Sequence, residues 1–430
     1  MSDKPAVREY LGISLFWFAI SLFWGAMLSI VVPARVEELV GKADKDHTLA
    51  IVIALGAVAA TCAQILFGAL SDRSRHPMGR RRPFMIAGTL LTTVALCFFP
   101  PARTLAAVIA AYLAVQIALN LANGPYQALL PDRIPPTHHG TASAYMGVSQ
   151  LIGRIGGVFA AAFVIGRFAH NTDLGLWMLT ALFAVLLNAF MLLNVLVIRE
   201  EPLRAPGPSV VEALQTAFRA PLRPYPSFAW LLASRFGIMM GVYNVMFFLL
   251  YYVRDTLQQG SGAEQVTAVL SLISGVTGMA GTLVAGFLCD RFSKKAVLYV
   301  SNGISIAAGL TFAMAHSLSL AYLAAAVFGA GFGAFCAVDW ALACNLLPAD
   351  ARAKYMGLWG VSDCVPQIVA PIIAGMTAAA VNQALGAGHG YRAVMVVSMV
   401  FYAIGTVALR SVRERPVKPS EEPACPAPAT

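Results

Sequence analysis

The sequence predicts an all-α membrane protein with twelve transmembrane helices, built as two pseudo-symmetric six-helix halves. Three observations predict it: an apolar composition, a division into twelve long apolar runs, and short segments of the first half that recur in the second. The 430 residues are 58% hydrophobic and 12% charged, with a mean hydropathy of +0.71. A soluble domain carries about 25% charged residues, so most of this surface must face lipid.

Each apolar run is long enough to cross about 30 Å of hydrocarbon at a rise of about 1.5 Å per residue. The first run is too long for the apolar part of a signal peptide, so we expect it to be retained as a helix. The runs lie near residues 10–34, 48–70, 84–100, 104–130, 142–168, 174–198, 228–253, 265–288, 296–316, 319–346, 355–380 and 391–411.

The basic residues are distributed unevenly between the two sides of the predicted bundle. The tails and even-numbered loops hold 21 of the 30 Lys and Arg, the other loops hold seven, and Arg154 and Arg235 lie inside runs. This bias predicts an inner or plasma membrane protein with both termini in the cytoplasm. It also explains the net charge of +9 without a nucleic-acid partner.

Composition changes suggest the domain limits. Residues 1–198 form the first half and residues 228–415 the second, joined by a proline-rich cytoplasmic linker, residues 199–227. Residues 416–430 are rich in Pro, Ala and Glu, and we expect a disordered tail.

Three short segments of the first half recur in the same order in the second, roughly 210 to 218 residues later. Such recurrence indicates two parallel repeats, between which a substrate binds near the membrane midplane while the halves rock to alternate access. The pairs are residues 68–73 (GALSDR) and 286–291 (GFLCDR), residues 128–131 (ALLP) and 345–348 (NLLP), and residues 144–147 (AYMG) and 354–357 (KYMG).

Two segments resemble a known family. Residues 68–84 (GALSDRSRHPMGRRRPF) resemble the loop between helices two and three of the major facilitator superfamily. Their GRRRPF ending, and residues 123–132 (NGPYQALLPD), are similar to plant sucrose transporters and their bacterial and animal relatives, which neighbour the glycoside–pentoside–hexuronide:cation symporters. The resemblance implies the major facilitator fold and secondary active transport of a sugar.

The repeated loop motif predicts a latch. Asp72 can face the positive N-terminus of a neighbouring helix while arginines pair with carboxylates, in contacts that break when the cytoplasmic side opens. The alternative is a basic loop that only sets topology. The resemblance implies gating roles for Asp72 and Asp290, and the arginines predicted to take part in the latch are Arg73, Arg80 and Arg291.

Ionisable residues inside the predicted helices are candidates for function, because burying a charge in hydrocarbon is costly. Asp339 is the first candidate for proton coupling and Asp363 the second; a static pair with a buried arginine is the alternative for Asp339. Arg154 contacts the substrate or pairs with Asp363 on the symmetry-related helix. Arg235 lies closer to the cytoplasmic surface, where its side chain can snorkel.

Neutral polar residues add the hydrogen-bonding groups that a sugar requires. Amides line one stripe of the fourth helix, and others lie one turn from Arg154 and Asp363; the alternative is that they join helices to one another. Aromatic rings at Trp24, Tyr243, Trp340 and Trp359 either stack on a sugar or pack the bundle. The predicted substrate-binding residues are Gln116, Asn120, Asn123, Gln150, Arg154, Asn244, Asp339, Trp340 and Gln367.

The sequence departs from the plant sucrose transporters at two positions. Gln116 stands where they carry an acidic residue, and Gln127 stands where they carry an arginine. A glutamine cannot titrate, so proton coupling here would depend on Asp339 or Asp363. Without such coupling the protein would be a facilitator.

The leading hypothesis is proton-coupled uptake of a sugar or glycoside, with a disaccharide favoured. The alternatives are an efflux antiporter or a facilitator for another small solute; the fifth helix lacks the central Gly-Pro of drug antiporters. The chain shows no nucleotide loop, nucleophile elbow, metal-ligand set or CxxC pair, which disfavours an enzyme. We expect a monomer whose partners are a small-molecule substrate, a proton and the lipid bilayer, with no cofactor, metal or nucleic acid.

Overall fold

The computed structural model describes residues 7–168, 170–198, 200, 221–259, 262–348, 351–386 and 388–414, with the side chains of 42–47, 50 and 264 excepted. All regular secondary structure in these ranges is helical. The predicted disordered tail, and residues 201–220 of the predicted linker, lie outside the described residues.

Among the described residues, eleven helices are long and apolar enough to cross a membrane, and the shorter helix Arg82–Leu96 completes the predicted twelve. The first two form one helical stretch that bends at Gly41, whose φ of 80° favours glycine. The helices are α1 (Val7–Gly41), α2 (Ile51–Asp72), α3 (Arg82–Leu96), α4 (Leu105–Tyr126), α5 (His139–Arg167), α6 (Thr172–Val197), α7 (Pro226–Tyr251), α8 (Ala263–Leu288), α9 (Lys294–Met314), α10 (Leu318–Leu346), α11 (Arg352–Leu385) and α12 (His389–Ala408).

Local sequence explains where several helices begin. The side chains of Thr104, Asn171, Ser293 and Ser317 each accept a hydrogen bond from a backbone N–H of the following helix, which satisfies one of its unpaired donors. These residues start α4, α6, α9 and α10.

Small residues allow close packing within each half. A Cβ at Gly157 of α5 would lie 1.9 Å from the carbonyl oxygen of Leu22 in α1. A Cβ at Gly333 of α10 would lie 2.0 Å from the carbonyl oxygen of Gly278 in α8. Both positions therefore require glycine, as is common where membrane helices touch.

The two halves meet on one side of the bundle, here called the linker face: the side on which even-numbered helices end and odd-numbered helices begin. There α2 packs on α11 and α5 packs on α8. A Cβ at Gly68 would lie 2.6 Å from the carbonyl oxygen of Ala353, and one at Gly140 would lie 2.4 Å from that of Gly286. Contacts this close shut the space between the halves on the linker face.

Candidate functional site

Three charged side chains meet inside the second half and form the charged triad: Arg235 of α7, Asp339 of α10 and Asp363 of α11. The Arg235 Nη1 lies 2.5 Å from the Asp339 Oδ2, and its Nη2 lies 3.3 Å from the Asp363 Oδ1. The side chains of Arg235 and Asp339 are 8% and 1% exposed, whereas that of Asp363 is 32% exposed. Asp363 is therefore the member of the triad that solvent reaches.

An aromatic ring fixes Arg235 between its two carboxylates. The guanidinium carbon lies 3.5 Å from the centroid of the Trp359 ring, a cation–π contact. A buried arginine is stabilised only when its charge is paired and its donors are used. The Arg235 Nε and the Asp339 Oδ1 are buried without a hydrogen-bond partner in the described part of the chain, so the pairing is incomplete.

The exposed carboxylate of the triad has two further polar neighbours. The Tyr243 hydroxyl donates to the Asp363 Oδ2 at 3.2 Å, and the Gln367 Nε2 lies 3.0 Å from the Tyr243 oxygen and 3.3 Å from the Asp363 Oδ2. The predicted pair of Asp363 and Gln367, one turn apart on α11, is thus brought together. Tyr243 joins it from α7.

Arg154 does not pair with Asp363 in this structure. Asp363 contacts Arg235 instead, and Arg154 is exposed, on the other half. The alternative of a scaffold pair between Arg154 and Asp363 is therefore not found in this conformation, in which Arg235 of α7 pairs with that carboxylate. Gln150, one turn before Arg154, is half-buried.

The amide stripe of α4 is bonded within the first half. The Gln64 Nε2 of α2 donates to the Asn120 Oδ1 at 2.8 Å, the Asn120 Nδ2 donates to the Gln116 backbone oxygen at 2.8 Å, and the Gln116 Nε2 donates to the Tyr112 oxygen at 2.9 Å. Asn120 thus links α4 to α2, and Gln116 bonds Asn120 and Tyr112 within α4. Asn123 is buried with its Oδ1 unpaired among the described groups.

The remaining predicted substrate residues are buried. Asn244 is fully buried, and neither of its amide atoms has a hydrogen-bond partner in the described ranges. Trp340 is 8% exposed, and its ring contacts that of Trp359 at a centroid distance of 4.6 Å. In this conformation both side chains contribute to the interior of the second half.

The predicted latch motif of the first half reaches the second half on the linker face. The Asp72 carboxylate accepts hydrogen bonds from the backbone N–H groups of Ala353 at 3.2 Å and Lys354 at 3.0 Å. These groups begin α11, where the helix dipole favours a negative charge. Arg81 lies behind the contact, with its Nη2 2.7 Å from the Asp72 Oδ1.

Asp132, at the end of the ALLPD segment, is the second carboxylate of this contact. Its oxygens lie 2.9 Å from Arg81, 3.2 Å from Arg80 and 2.9 Å from Arg352 of the second half. Burial alone would lower the pKa of Arg81, but Asp132 and Asp72 outweigh burial and hold that pKa above its ordinary value. Arg81 therefore stays charged between them.

The second half carries the matching contact. The Asp290 carboxylate accepts from the backbone N–H groups of Gly140 and Thr141, both at 2.8 Å, and from the Thr141 hydroxyl at 2.5 Å. These groups begin α5, as those bound by Asp72 begin α11. The two carboxylates therefore hold equivalent helix N-termini of the opposite halves.

Arg73 and Arg291 are the two other predicted gating arginines. Arg73 lies where α2 ends, with its backbone N–H bonded to Leu70, and Arg291 is exposed on the linker face.

A cavity of about 400 Å³ between the halves adjoins the latch rather than the charged triad; it is lined by Pro131, His139, Tyr225, Asn345 and Arg352, among others.

Two glutamates that follow the last helix of each half cap a helix of the same half. The Glu200 Oε2 accepts from the backbone N–H of Arg81 at 2.8 Å, at the start of α3. The Glu414 Oε1 accepts from that of Lys295 at 2.5 Å, at the start of α9. Burial raises the pKa of Glu200.

At the other end of the linker, the Tyr355 hydroxyl of α11 donates to the Pro221 carbonyl oxygen at 3.0 Å.

Sequence reasoning missed several of these residues. The glutamates had a signal: residues 199–202 (REEP) and 413–416 (RERP) repeat the same Arg-Glu-x-Pro pattern. Arg81, Asp132 and Arg352 lie within or beside the motifs that were recognised. Arg235 had no signal beyond its charge. Within the described residues, no three His, Cys, Asp or Glu side chains gather as a metal site would require.

The sequence matches the Major Facilitator Superfamily over residues 9–371 and 232–429, and the chain belongs to that family. It is therefore a multi-pass membrane transporter and not an enzyme, and the predicted fold is confirmed.

Individual relatives are similar over part of their length. The sucrose transport protein SUC4 of Arabidopsis thaliana is 27% identical over 192 residues, which are 39% of this chain and 37% of that protein. An uncharacterized MFS-type transporter of Mycobacterium tuberculosis is 25% identical over 172 residues, 39% of this chain and 25% of that protein. The matched segments thus span little more than a third of these relatives at most.

Solved structures show the same fold over nearly the whole chain. The transporter FucP in its outward conformation has a TM-score of 0.73 at 14% identity, covering 95% of this chain and 99% of FucP. The proton:xylose symporter XylE, bound to 6-bromo-6-deoxy-D-glucose, has a TM-score of 0.71 at 14% identity, covering 94% of this chain and 96% of XylE.

Proposed function

We propose that this protein couples the uptake of a sugar or glycoside, with a disaccharide favoured, to the entry of a proton by alternating access. The linker face then lies in the cytoplasm, in agreement with the excess of Lys and Arg in its loops. The observation that carries the proposal is the charged triad, in which one cation is shared between two carboxylates.

The charge of the triad explains why a proton would bind there. Arg235, Asp339 and Asp363 together carry one excess negative charge when both carboxylates are ionised. Excess charge inside a membrane protein is costly, and one proton removes it. Asp363 is the exposed carboxylate and has the longer contact with Arg235. A proton from the side opposite the linker face would therefore reach Asp363 first.

The groups around Asp363 suit a hydroxylated substrate. Tyr243 and Gln367 offer donors and acceptors beside the carboxylate, and Arg154 is exposed on the opposite half. The named activities of two similar proteins, sucrose transport and proton:xylose symport, support a sugar.

The direct test is proton movement in proteoliposomes of the purified protein as sucrose, maltose and other sugars are added in turn. We expect one sugar to carry protons into the vesicles, which appears as alkalinisation of the outside medium. Labelled-sugar uptake without proton movement would instead identify a facilitator.

An efflux antiporter is the second candidate, since the exposed Arg154 can also attract an organic anion. No response to any sugar, combined with anion-driven proton movement in the opposite direction, would favour it.

Removing either carboxylate of the triad tests the coupling site. Asp339→Asn and Asp363→Asn each leave a neutral pair with Arg235, which no longer needs a proton. Both variants are expected to lose pH-driven accumulation at least about tenfold while counterflow exchange continues, because exchange requires no net proton movement. Asp173→Asn, in an exposed ion pair with Arg103, is the control and should behave as wild type. Normal accumulation by both triad variants would exclude the triad as the coupling site.

A further inference from the structure

A row of aromatic rings runs from the first half of the protein to the charged triad. The Trp17 ring of α1 contacts the Trp340 ring of α10 at a centroid distance of 5.6 Å, and Trp340 contacts Trp359 of α11 at 4.6 Å. Trp359 in turn lies 3.5 Å from the guanidinium carbon of Arg235. These three tryptophans, here the tryptophan row, connect the boundary between the halves to the cation of the triad.

The row is anchored at its first end. The Trp17 backbone N–H donates to the Tyr126 hydroxyl at 3.0 Å, and the two rings are 5.6 Å apart. Trp17 is therefore fixed to the first half, and its contact with Trp340 is the place where the row crosses between halves.

The other two rings are held by packing. Trp340 and Trp359 are 8% and 5% exposed, and their indole N–H groups have no hydrogen-bond partner in the described ranges. A ring whose N–H has no partner can shift without breaking a hydrogen bond. The contact between the Trp340 and Trp359 rings can therefore change when Arg235 moves.

We infer that Trp340 and Trp359 are positioning residues that transmit the charge state of the triad to the contact between the halves at Trp17. The inference deepens the proposed function, because it rests on proton binding by the triad and on separation of the halves at the linker face.

The physical steps follow from the contacts. Neutralising Asp363 weakens its pull on Arg235, which is then drawn toward Asp339. The guanidinium slides over the Trp359 ring, and Trp340 must follow because it is the neighbouring ring. The contact of Trp340 with Trp17, which favours closed halves, is weakened. Loss of a cation–π contact changes an equilibrium by about twofold to thirtyfold, which suffices to alter the populations of two conformations.

Other titratable groups also act on this region. Besides the triad itself, they are Arg154 of α5, Tyr243 of α7, Cys336 of α10, Cys364 of α11 and Tyr402 of α12. Arg154, Tyr243 and Tyr402 are unchanged in the variants proposed below. Cys336 and Cys364 are replaced alike in the reference protein and in every variant, so a difference between them is due to the row.

The test measures separation of the halves directly, without any sugar. Spin labels are placed on the linker face at Met78 and Phe292, which are 41% and 63% exposed and belong to different halves, in a background without native cysteines. Distances between the labels are recorded in lipid nanodiscs between about pH 5 and pH 8. The wild type should change its ratio of open to closed linker face across this range.

Trp340→Ala and Trp359→Leu are expected to reduce that pH-dependent change at least about threefold. Trp359→Phe retains an aromatic face under Arg235 and should restore most of it. The matched control is Trp230→Leu, on α7 but 47% exposed. It should keep the full pH-dependent change, which would show that the effect requires the tryptophan row and not merely any tryptophan.

Two outcomes overturn the inference and differ from each other. A pH-dependent wild type with unchanged behaviour in Trp340→Ala and Trp359→Leu would overturn the role of the row while leaving proton coupling intact. A wild type whose distances do not depend on pH would overturn proton coupling, and the inference with it. Because no sugar is present, neither outcome depends on the identity of the substrate.

Discussion

Arg235 is the residue on which the buried charges of the second half depend. It is the cation of the triad, paired with Asp339 at 2.5 Å and with Asp363 at 3.3 Å. A buried pair gains little over apolar residues of the same shape, but loss of one partner leaves a charge without compensation. The removal of Arg235 should therefore lower the free energy of unfolding far more than the removal of one carboxylate.

Arg235→Leu is expected to destabilise the protein by about 3–5 kcal/mol, seen as a lower midpoint of thermal unfolding in detergent. Asp339→Asn in the same chain should recover part of the loss, because only one unpaired carboxylate then remains. If Arg235→Leu unfolds at the wild-type temperature, Arg235 does not neutralise the two aspartates.

At the scale of single residues, the sequence predicts the charges and, as one alternative, a buried arginine beside Asp339, but it does not identify that arginine as Arg235. Asp339 and Asp363 were recognised because charges are rare within apolar runs. The sequence places Arg235 closer to the cytoplasmic surface, where its side chain can snorkel, since one sequence cannot show that α10 and α11 bring carboxylates to it. Arg154, the alternative partner for Asp363, lies on the other half and is exposed. An approximate internal symmetry fixes the depth of a residue along a helix but not the direction of its side chain.

The helix ends on the linker face form the next level of organisation. Asp72 and Asp290 hold equivalent N-termini of the opposite halves, and Asp132 adds ion pairs that cross to Arg352. Because these contacts exist only while the halves are closed there, they stabilise this conformation relative to one open at the linker face.

Asp132→Asn is expected to shift the protein toward that open conformation, because the buried Arg81 and the crossing Arg352 both lose a charged partner. Labelling of a single cysteine placed at Ser71, which is buried on the linker face, should become at least about fivefold faster. The control is Glu38→Gln, whose ion pair with Arg35 is on the opposite side and half exposed. Unchanged labelling of Asp132→Asn would mean that the arginine contacts do not hold the halves closed.

The glutamates that cap helix N-termini give a separate prediction for the stability of the protein. Glu200→Ala removes the acceptor at the start of α3 and should cost about 1 kcal/mol, measured as thermal stability. Glu200→Gln keeps an acceptor at this position. Because burial raises the pKa of Glu200, the substitution also removes a charge that burial disfavours. The loss of stability should therefore be smaller than in Glu200→Ala. A larger loss in Glu200→Gln than in Glu200→Ala would show that the charge, and not the hydrogen bond, matters.

Helix boundaries show what hydropathy can and cannot predict. The first run was expected to end near residue 34, where charged residues begin, yet α1 continues to Gly41. Arg35 remains buried because its Nη1 pairs with Glu38 and its Nη2 bonds the Ala102 carbonyl oxygen at 2.5 Å. At this helix end, the partners of Arg35 allow helical backbone to extend beyond the apolar run.

At the scale of the whole molecule, the two halves share an architecture but differ in chemistry. Within the described residues, the charged triad belongs to the second half. The matching region of the first half carries hydrogen-bonded neutral amides, those of Gln64, Asn120 and Gln116. Repeated motifs predicted the shared architecture. They could not predict this difference, since it arises where the two copies diverge. The second half is accordingly proposed to bind the proton, and the first half to contribute neutral polar contacts.

The anchoring of the linker's two ends has a consequence for how the protein can be made. Glu200 is bonded to α3 of its own half, and Pro221 is bonded to Tyr355 of its own half. Each of these two hydrogen bonds lies within one half, so neither bond needs the linker between them to be continuous. Two polypeptides, ending and beginning within residues 201–220, should therefore assemble into a working transporter when co-expressed. Co-purification and transport near the wild-type rate would support this, while a control cut within the loop between α2 and α3, which carries the latch, should abolish assembly.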